Sequence, residues 1–409
     1  MRKASVATVL AVTTVVSLVA CNAIIGTRDL AYDADAAGGG ETDGPGVTQD
    51  GQSGGQDATT IMDAGRLDGA ASCPGVDLTM DQKNCGACGH DCMGGACTAS
   101  KCQPTKLFSG ALATYGLAVD GTNIYFTDIN GGAVYAMPKD APAPSTATKI
   151  ADTADPLVYD VIADTNGVFF SWGSSSSGSK GALETISPDG GNRRALLSDA
   201  SIPRGLSMDN INVYFALTYL SPVEVGSVPR NAAGANPTIL SANEPDTDNT
   251  FVSGTYVYWG GESKTAVRFC TTVAGGCAPT LKDFVTGLNA SEALGGNSKS
   301  VFISGSDILY QATKGGSSAA GVAQMQPQVY SIAADDKDIY WLDLGTNGAS
   351  FKDGSIRHCA IDASGAVQCA TANGDIIATS DQNPRVIVMD QKAVYWTVQG
   401  EGAVYRLAR

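Results

Sequence analysis

Histidine and basic side chains are scarce in this chain. Of 409 residues only two are histidine, His90 and His358, and acidic residues outnumber Lys and Arg by 41 to 26. Nucleic-acid binding needs a basic surface, so the formal net charge of −15 argues against a nucleic-acid partner. Histidine catalysis and His-rich metal sites have few residues to use. We therefore expect no nucleic-acid partner, no metal site and no cofactor.

Long apolar segments are also missing after the N terminus. Short apolar stretches alternate with Gly, Asp and Asn, and the 49 glycines make up about 12% of the chain, against a usual ~7%. Short stretches separated by turn residues favour strands over long helices. The sequence therefore predicts an all-β fold, and its length is ample for a large buried core.

The N terminus has the pattern of an export signal. Arg2 and Lys3 precede residues 4–20, which contain no charged side chain. This run is shorter than the ~20 apolar residues that span a bilayer, and it suits the core of a signal peptide. An uncleaved membrane anchor is the alternative. We expect residues 1–20 to be a signal peptide and the protein to be exported.

The same run ends in Leu18-Val19-Ala20-Cys21. This string resembles the lipobox of bacterial lipoproteins. The resemblance implies that cleavage leaves Cys21 as the first residue and that Cys21 carries acyl chains such as palmitate. Two or three such chains would anchor the protein stably in a lipid bilayer. Asn22 implies, by resemblance to Gram-negative lipoproteins, an outer-membrane or cell-surface location.

The segment that follows Cys21 has the composition of a tether. Residues 22–72 are rich in Gly, Ala and Asp, and they hold nine acidic and two basic side chains. Such a segment buries too little apolar surface to offset the entropy of ordering it. We expect residues 21–72 to be a lipidated cysteine followed by a disordered linker.

Ten cysteines remain after Cys21, an even number in a chain that we expect to be exported. An oxidising compartment favours disulfide bonds for all ten. Four of them form two close pairs, each flanking a Gly-containing turn: Cys270 with Cys277, and Cys359 with Cys369. Six are clustered in residues 73–104, where fifteen connectivities are possible: Cys73, Cys85, Cys88, Cys92, Cys97 and Cys102.

The clustered cysteines carry a second resemblance. The string Asn84-Cys85-Gly86-Ala87-Cys88-Gly89-His90-Asp91-Cys92 is similar to the repeat of the stigma-specific protein family. Similar segments occur in surface lipoproteins of myxobacteria-like organisms, and the resemblance implies a small disulfide module without catalytic residues. A zinc site or a thioredoxin-like redox pair is the alternative for these Cys-x-x-Cys spacings.

A repeat with an average period of 45 residues runs from residue 115 to the C terminus. Each copy contains a short apolar strand, an anchor residue, three turn residues and a strand with three consecutive apolar or aromatic residues. An anchor carboxylate can accept hydrogen bonds from the backbone of the turn. The anchors are Asp120, Asp164, Asp209, Ser253, Asn297, Asp335 and Asp390.

About four strands fit into each copy, and a four-stranded repeat of this period is typical of a propeller blade. The last copy lacks its outer strand, and residues 105–109 can supply it. Tyr395-Trp396-Thr397 resembles the "Tyr-Trp-Thr-Asp" propellers, whose members commonly have six blades. The count here comes from the repeats alone. We predict that residues 105–409 form a seven-bladed β-propeller closed by an N-terminal outer strand.

One position in each repeat predicts a candidate binding site. It lies five residues before the anchor, at the start of the innermost strand, so that seven blades would arrange it as a ring at one mouth of the channel. These ring residues form a polar and aromatic set typical of binding mouths. They are Tyr115, Tyr159, Arg204, Asp248, Glu292, Tyr330 and Arg385.

A structural role is the alternative for the ring. The tyrosines would then pack on adjacent blades, and the arginines would pair with Asp248 and Glu292. The long loops at residues 174–180 and 345–353 would border the same mouth, and Asp128 and Tyr219 would add contacts.

These features favour a non-enzymatic, membrane-anchored propeller displayed outside a membrane. We expect a monomer whose partners are the bilayer, through Cys21, and an extracytoplasmic protein, peptide or glycan. A lactonase- or lyase-like enzyme with a metal in the channel is the alternative, with Asp248 and Glu292 as ligands. A purely structural envelope protein is a third possibility, and fold alone does not decide among them.

Overall fold

The computed structural model describes residues 73–409 except 154–156, 175–179, 219–221, 262–264, 273–276, 289–292, 306, 347–350 and 381. The predicted signal peptide, the lipidation site Cys21 and the tether lie outside the described residues. No helix in the described part of the chain is long and apolar enough to cross a membrane.

The chain folds as a seven-bladed β-propeller, which confirms the predicted fold class. Each blade is an antiparallel sheet, and the first strands of neighbouring blades contact one another around the ring. Blades 1 to 3 follow the chain without a break. Their strands are β4 Thr114–Val119, β5 Asn123–Asp128, β6 Ala133–Pro138, β7 Thr148–Asp152, β8 Leu157–Asp164, β9 Gly167–Gly173, β10 Gly181–Ile186, β11 Arg194–Ala200, β12 Pro203–Met208, β13 Asn212–Leu217, β14 Val223–Pro229 and β15 Thr238–Glu244.

Blades 4 to 7 continue the same order, and in blade 6 the third strand pairs with two outer strands instead of one. One-turn 3-10 helices occur at Ala278–Thr280 and Gln399–Glu401. The strands are β16 Asn249–Ser253, β17 Tyr256–Gly260, β18 Ala266–Thr271, β19 Lys282–Thr286, β20 Leu294–Gly296, β21 Ser300–Ser304, β22 Ile308–Thr313, β23 Ala319–Gln324, β24 Val329–Ala334, β25 Asp338–Asp343, β26 Gly354–Ile361, β27 Val367–Gln368, β28 Asp375–Ser380, β29 Pro384–Met389, β30 Ala393–Val398 and β31 Ala403–Ala408.

The ring is closed by the strand that the sequence predicts. β3, Thr105–Ser109, pairs antiparallel with the last strand of the chain, β31, and thereby becomes the outer strand of blade 7. Leu107 and Phe108 on β3 are buried in a cluster that also contains Phe126 of blade 1 and Tyr395 of blade 7. Closure therefore joins the two ends of the propeller and completes blade 7 as a four-stranded sheet.

The apolar triplets explain why the sheets are buried on both faces. On β5, Phe126 packs with Tyr395 of blade 7, while Tyr125 points to the other face and packs with Phe170 of blade 2. Successive side chains of a strand point to opposite faces, so one triplet fills the space towards both neighbouring blades. The continuous apolar runs thus specify packing between blades.

The anchor residues cap the turn between the first and second strands. Asp120 Oδ1 accepts hydrogen bonds from the backbone N–H of Thr122 at 2.7 Å and Asn123 at 2.6 Å, and Asp209, Asn297, Asp335 and Asp390 make the same pair of contacts. Tyr125 donates to the second oxygen, Asp120 Oδ2, at 2.7 Å. The predicted structural role of the anchors is therefore confirmed in these blades.

Disulfide bonds hold the segment that precedes the propeller. The pairs are Cys73–Cys88, Cys85–Cys97 and Cys92–Cys102, and a hairpin of β1, Cys97–Thr98, and β2, Lys101–Cys102, lies between them. Each sulfur of the zinc alternative is bonded to another sulfur, so none is available as a thiolate ligand. The two close pairs also form as predicted, Cys270–Cys277 and Cys359–Cys369.

The disulfide module is packed against the propeller. Arg406 on β31 is buried, and its guanidinium donates to the carbonyl oxygen of Met93 in the module and to that of Lys139 in blade 1, the latter at 2.5 Å. The Met93 side chain packs against the cluster beneath blades 7 and 1. One side chain therefore connects the module to the seam at which the ring closes.

Candidate functional site

Six of the seven ring positions are described, and all six side chains are buried near the start of the innermost strands. Five lie on those strands, and Asp248 immediately precedes β16. The seventh, Glu292, is outside the described residues. The exposed fractions are 3% for Tyr115, 6% for Tyr159, 1% for Arg204, 4% for Asp248, 0% for Tyr330 and 8% for Arg385.

Irregularities in the first strands position these side chains. The pairing register of β4 with β5 shifts between Thr114 and Leu117, and Tyr115 lies within that shift. Equivalent shifts occur in blades 2, 3, 6 and 7. A bulge bends its strand and changes the direction of a side chain. The register shift therefore sets the direction of the ring side chains. The in-and-out alternation of side chains along a regular strand would not predict it.

Hydroxyl groups on the second strands hold the shifts in place. Thr127 Oγ1 accepts a hydrogen bond from the Gly116 N–H at 2.7 Å and donates to the Tyr159 carbonyl oxygen of blade 2 at 2.9 Å. Thr397 makes the same two contacts, with the Val386 N–H at 3.2 Å and with the Tyr115 carbonyl oxygen at 2.9 Å. The backbone of one ring residue is thus fixed by the neighbouring blade.

The tyrosines of the ring meet across the channel. Tyr115 Oη lies 3.2 Å from Tyr330 Oη, although blade 7 separates their blades, and Arg204 Nη2 of blade 3 lies 3.4 Å from the same Tyr115 oxygen. The Tyr115 and Tyr159 rings pack edge to face with centroids 6.3 Å apart. The structure therefore brings together residues that are up to 215 positions apart in the chain.

Both arginines lie over tyrosine rings. Arg204 Cζ is 4.3 Å from the Tyr159 ring centroid, and Arg385 Cζ is 5.1 Å from that of Tyr330 and 5.6 Å from that of Tyr115. A guanidinium over an aromatic face is attracted by the ring quadrupole, more strongly where water is excluded. We call these five side chains the Tyr-Arg cluster: Tyr115, Tyr159, Arg204, Tyr330 and Arg385.

A buried carboxylate beside the cluster was missed by the sequence analysis. Asp160 is fully buried, and its Oδ2 accepts a hydrogen bond from the Gly205 N–H of blade 3 at 2.6 Å. Burial raises the pKa of Asp160 to about 6, although the nearby Arg204 charge and backbone N–H groups act to lower it. Asp160 is the one charged residue at this position of the repeat, which was the available signal. The other repeats have Gly116, Gly205, Asn249, Ala293, Ser331 and Val386.

Gly205 allows blades 2, 3 and 4 to approach closely at this point. Its φ is +58°, a left-handed conformation, and a Cβ there would lie 2.2 Å from the Asn249 Cα. Only glycine combines this conformation with that clearance. The backbone next to Arg204 can therefore lie between the Asp160 carboxylate and blade 4.

Other residues predicted near the mouth have structural roles or lie outside the described residues. Asp128 is buried, and its carboxylate accepts backbone N–H hydrogen bonds from Leu112, Ala113 and Gly131 at 2.9, 3.0 and 2.9 Å. Tyr219 and residues 175–179 and 347–350 of the two long loops are not described. Asp128 therefore fixes a turn, and the rest of the predicted border stays a prediction.

His358 lies in the outer half of blade 6. Its ring is stacked on Tyr340 with centroids 4.5 Å apart, and its Nε2 lies 2.8 Å from Asp338 Oδ1. Asp338 also accepts a hydrogen bond from Arg409 at 2.5 Å. This histidine therefore belongs to a contact network that includes the C-terminal residue and is remote from the ring.

The Tyr-Arg cluster does not fit a divalent cation. Calcium and magnesium prefer several oxygen ligands with negative charge, whereas two guanidinium groups stand in this cluster and repel a cation. Asp248, a ligand in the metal hypothesis, is hydrogen-bonded by Asn249 Nδ2 at 3.4 Å. The described residues of the ring are thus a buried, donor-rich set of side chains that suits an acceptor or an anion better than a cation.

A cavity of about 310 Å³ lies away from the ring, between blades 6 and 7 and the residues that lead into β3. Its lining includes Trp396, Tyr405 and Glu401. The Glu401 carboxylate is bound by Lys106 Nζ at 2.5 Å and by Tyr405 Oη at 2.7 Å. With its one lining carboxylate already paired, this cavity has less binding chemistry than the Tyr-Arg cluster.

Comparisons with known proteins support the fold. No protein-family model matches the chain, and no curated protein matches it. Among solved structures, a catalytically inactive His→Ala variant of virginiamycin B lyase from Staphylococcus aureus with quinupristin is 12% identical, covers 73% of this chain and 95% of its own, and has a TM-score of 0.54.

Two further solved structures are similar to the same extent. The WD40 β-propeller domain of Doa1 is 10% identical over 73% of this chain and 93% of its own, with a TM-score of 0.53. The computationally designed Ika8 protein is 11% identical over 75% of this chain and its whole length, with a TM-score of 0.51. A lyase, a WD40 domain and a designed protein share the architecture, so these likenesses establish the fold alone.

Proposed function

We propose that this protein is an exported, lipid-anchored propeller that binds an extracytoplasmic protein, peptide or glycan at the channel mouth and performs no catalysis. The lipobox-like string ending in Cys21 supports the anchor, and residues 22–72 have the composition of a spacer. In this arrangement the tether holds the propeller outside an outer membrane, and the ring faces the partner.

The Tyr-Arg cluster is the observation that carries the binding role. Tyrosine and arginine dominate the binding energy of many interfaces because each combines a large apolar surface with directed hydrogen-bond donors. Arg204 and Arg385 lie over tyrosine rings, which fixes the guanidinium groups before any partner arrives. Fixed donors lose less entropy on binding than flexible ones.

The enzyme alternative has less support from the same residues. A lactonase- or lyase-like reaction with a channel metal needs a set of oxygen or nitrogen ligands, and the described ring residues include one carboxylate, Asp248, beside two arginines. The likeness to virginiamycin B lyase is at 12% identity and extends to the fold. Stoichiometric metal in the purified protein would favour this alternative.

One experiment with two variants tests the anchor and the binding mouth separately. The native protein is compared with Cys21→Ser and with the double variant Arg204→Ala/Arg385→Ala for membrane fractionation and for capture of envelope components. We expect Cys21→Ser to leave the membrane pellet and keep its captured partner. The double variant should stay in the pellet and lose the partner, because its lipid site is intact and its donors are gone.

The thermal unfolding temperature of the double variant is the control for this experiment. Capture that is unchanged in a folded double variant would contradict binding at the channel mouth. Cys21→Ser that is processed and pelleted like the native protein would contradict the lipid anchor. Unfolding of the double variant would mean that the arginines brace the blades, as the structural alternative holds.

A further inference from the structure

Arg385 is a buried cation of the propeller with few polar contacts. Within the described residues, its guanidinium makes one hydrogen bond, from Nε to Gln399 Oε1 at 2.7 Å, and no carboxylate oxygen lies within 4 Å of it. By contrast, Arg357 pairs with the buried Asp343 at 2.5 Å. This guanidinium, in a side chain only 8% exposed, thus has no ion-pair partner among the residues that the structure describes.

The contacts of Arg385 leave a defined part of the guanidinium for a ligand. The flat face of the guanidinium lies over Tyr115 and Tyr330, with Cζ 5.6 and 5.1 Å from their ring centroids. Hydrogen bonds from a guanidinium run in its plane, so stacking does not use them. With Nε bound to Gln399, the fork of Nη1 and Nη2 remains, and a carboxylate matches this fork with two parallel bonds.

Neighbouring donors favour an anion at the same place. The Tyr330 and Tyr115 hydroxyls are 3.2 Å apart, and Arg204 Nη2 lies 3.4 Å from the latter. Burying a charge without a partner is costly, and a bound anion would remove that cost. The five side chains of the cluster carry two positive charges, Arg204 and Arg385, and the buried Asp160 carboxylate acts on the first of them.

We propose that the channel mouth binds a carboxylate group, with the Arg385 guanidinium fork as its main contact and the Tyr330 and Tyr115 hydroxyls beside it. This inference rests on the proposed binding function and specifies the chemistry of the ligand. A chain-terminal peptide carboxylate and the carboxylate of an acidic sugar are two sources of the same group. The position of Arg385 over two rings would hold the fork ready for either one.

Two matched pairs of probes test the charge requirement on the full chain by calorimetric titration. N-acetylalanine is compared with N-acetylalaninamide, and galacturonate with galactose. We expect the acids to bind at least about tenfold more tightly than their neutral analogues, because two charge-assisted hydrogen bonds are lost in the analogues. Added salt should weaken the acids alone. The acid that binds identifies the source.

Variants assign the binding to Arg385. Arg385→Gln should lower the affinity for the acid by at least about tenfold, and Arg385→Lys should lower it less, because lysine keeps the charge and loses the fork. Tyr330→Phe keeps the aromatic ring and removes one hydroxyl, so it should lower the affinity for the acid by less than Arg385→Lys does. The control is Arg193→Gln, which removes an arginine just before an outer strand, where it pairs with Glu184.

Several results would overturn the inference without deciding the proposed function. They are equal affinities for acid and neutral probes, no binding of any probe at millimolar concentration, and native-like acid binding by a folded Arg385→Gln. Capture of an envelope partner by the native protein would survive each of them. If Arg385→Gln does not fold, Arg385→Lys and Tyr330→Phe decide, and native-like acid binding by both would overturn the inference.

Discussion

The two ends of each innermost strand follow opposite rules. At the turn end, five residues after the ring position, the same chemistry recurs in five blades. A short polar side chain there accepts hydrogen bonds from the backbone N–H groups two and three residues later. At the channel end the residue changes between tyrosine, arginine, aspartate and glutamate. The repeated turn end shapes every blade. The variable channel end is the one at which we propose that a partner binds.

The contacts at the two ends also differ in range. Asp120 binds groups two to five residues away, within its own blade. Tyr115 instead contacts Tyr330, 215 residues away, and its carbonyl oxygen is bound by Thr397 of the last blade. The turn end can therefore form in each blade by itself, whereas the channel end exists only when the ring is closed.

Removing the closing strand should produce the largest effect, because it breaks the ring on which the channel end depends. Deleting residues 1–109 removes β3 and with it Leu107 and Phe108, which are 0% and 9% exposed. Loss of their burial costs roughly 5 kcal/mol, and we expect a Tm roughly 10 °C lower than after deletion of residues 1–104. Thermal unfolding of the two proteins measures this difference.

Deletion of residues 1–104 is the reference because it removes the disulfide module and keeps β3. This deletion also lowers the stability of the propeller, because the Arg406 guanidinium loses its hydrogen bond to the carbonyl oxygen of Met93. We expect that loss to be small beside the loss of a strand. Equal unfolding temperatures for the two deletions would contradict closure by β3.

The second largest effect concerns the buried carboxylate at the channel end. Burial raises the pKa of Asp160 from 3.8 to about 6, so the folded protein binds this proton more tightly than the unfolded chain does. The free energy of unfolding should therefore fall as the pH rises through that interval, by at most roughly 3 kcal/mol. Asp160→Asn should remove this loss and gain stability at pH 7 relative to the native protein, but not at pH 4.

Denaturant unfolding at both pH values measures the effect, and Asp338→Asn is a control of opposite sign. Burial acts to raise the pKa of Asp338, but hydrogen bonds from His358 and Arg409 lower it overall. That variant should lose stability at neutral pH, and the difference from the native protein should shrink as the pH falls through the lowered pKa. A native protein as stable at pH 7 as Asp160→Asn would contradict a destabilising buried charge.

Sequence reasoning predicted the parts of the fold that repeat. The anchors, the apolar triplets and the outer strand at residues 105–109 all follow from a period, and a period is visible without coordinates. The packing of the Tyr-Arg cluster does not follow in this way. Tyr115 and Tyr330 belong to blades separated by another blade, so their contact depends on the ring radius and on the bulges at the start of the strands.

Asp160 is a residue whose role the sequence does not reveal. It stands next to the predicted Tyr159, yet its role is set by the Gly205 N–H and by Arg204 in the following blade. The structural alternative pairs the arginines with Asp248 and Glu292, and it stays a prediction because Glu292 lies outside the described residues. Among the described residues, both arginines lie over tyrosine rings, and the Asp160 carboxylate acts on Arg204. Position in the repeat indicated which residues converge, and only the closed ring shows what each one contacts.

The smallest effect should come from the turn end, because each anchor acts in one blade. Asp120→Ala removes the acceptor of the Thr122 and Asn123 N–H groups and of Tyr125 Oη. Loss of such a cap costs about 0.5–2 kcal/mol. The Tyr125 hydroxyl also loses its acceptor, although it still accepts from Asn123 Nδ2, and we expect a total of about 2 kcal/mol. Asp120→Asn keeps one oxygen at the turn, so it should recover most of that stability.

Asp189→Ala is the matched control for the turn end. Asp189 also caps a turn, accepting from the Gly191 N–H at 3.0 Å, but it is exposed and lies between the two outer strands of blade 2. Water can replace a carboxylate there, so we expect a cost within about 0.5 kcal/mol. A loss at Asp189 as large as at Asp120 would mean that any capped turn matters equally. The turn end of the innermost strand would then contribute no more to the stability of a blade than an exposed turn does.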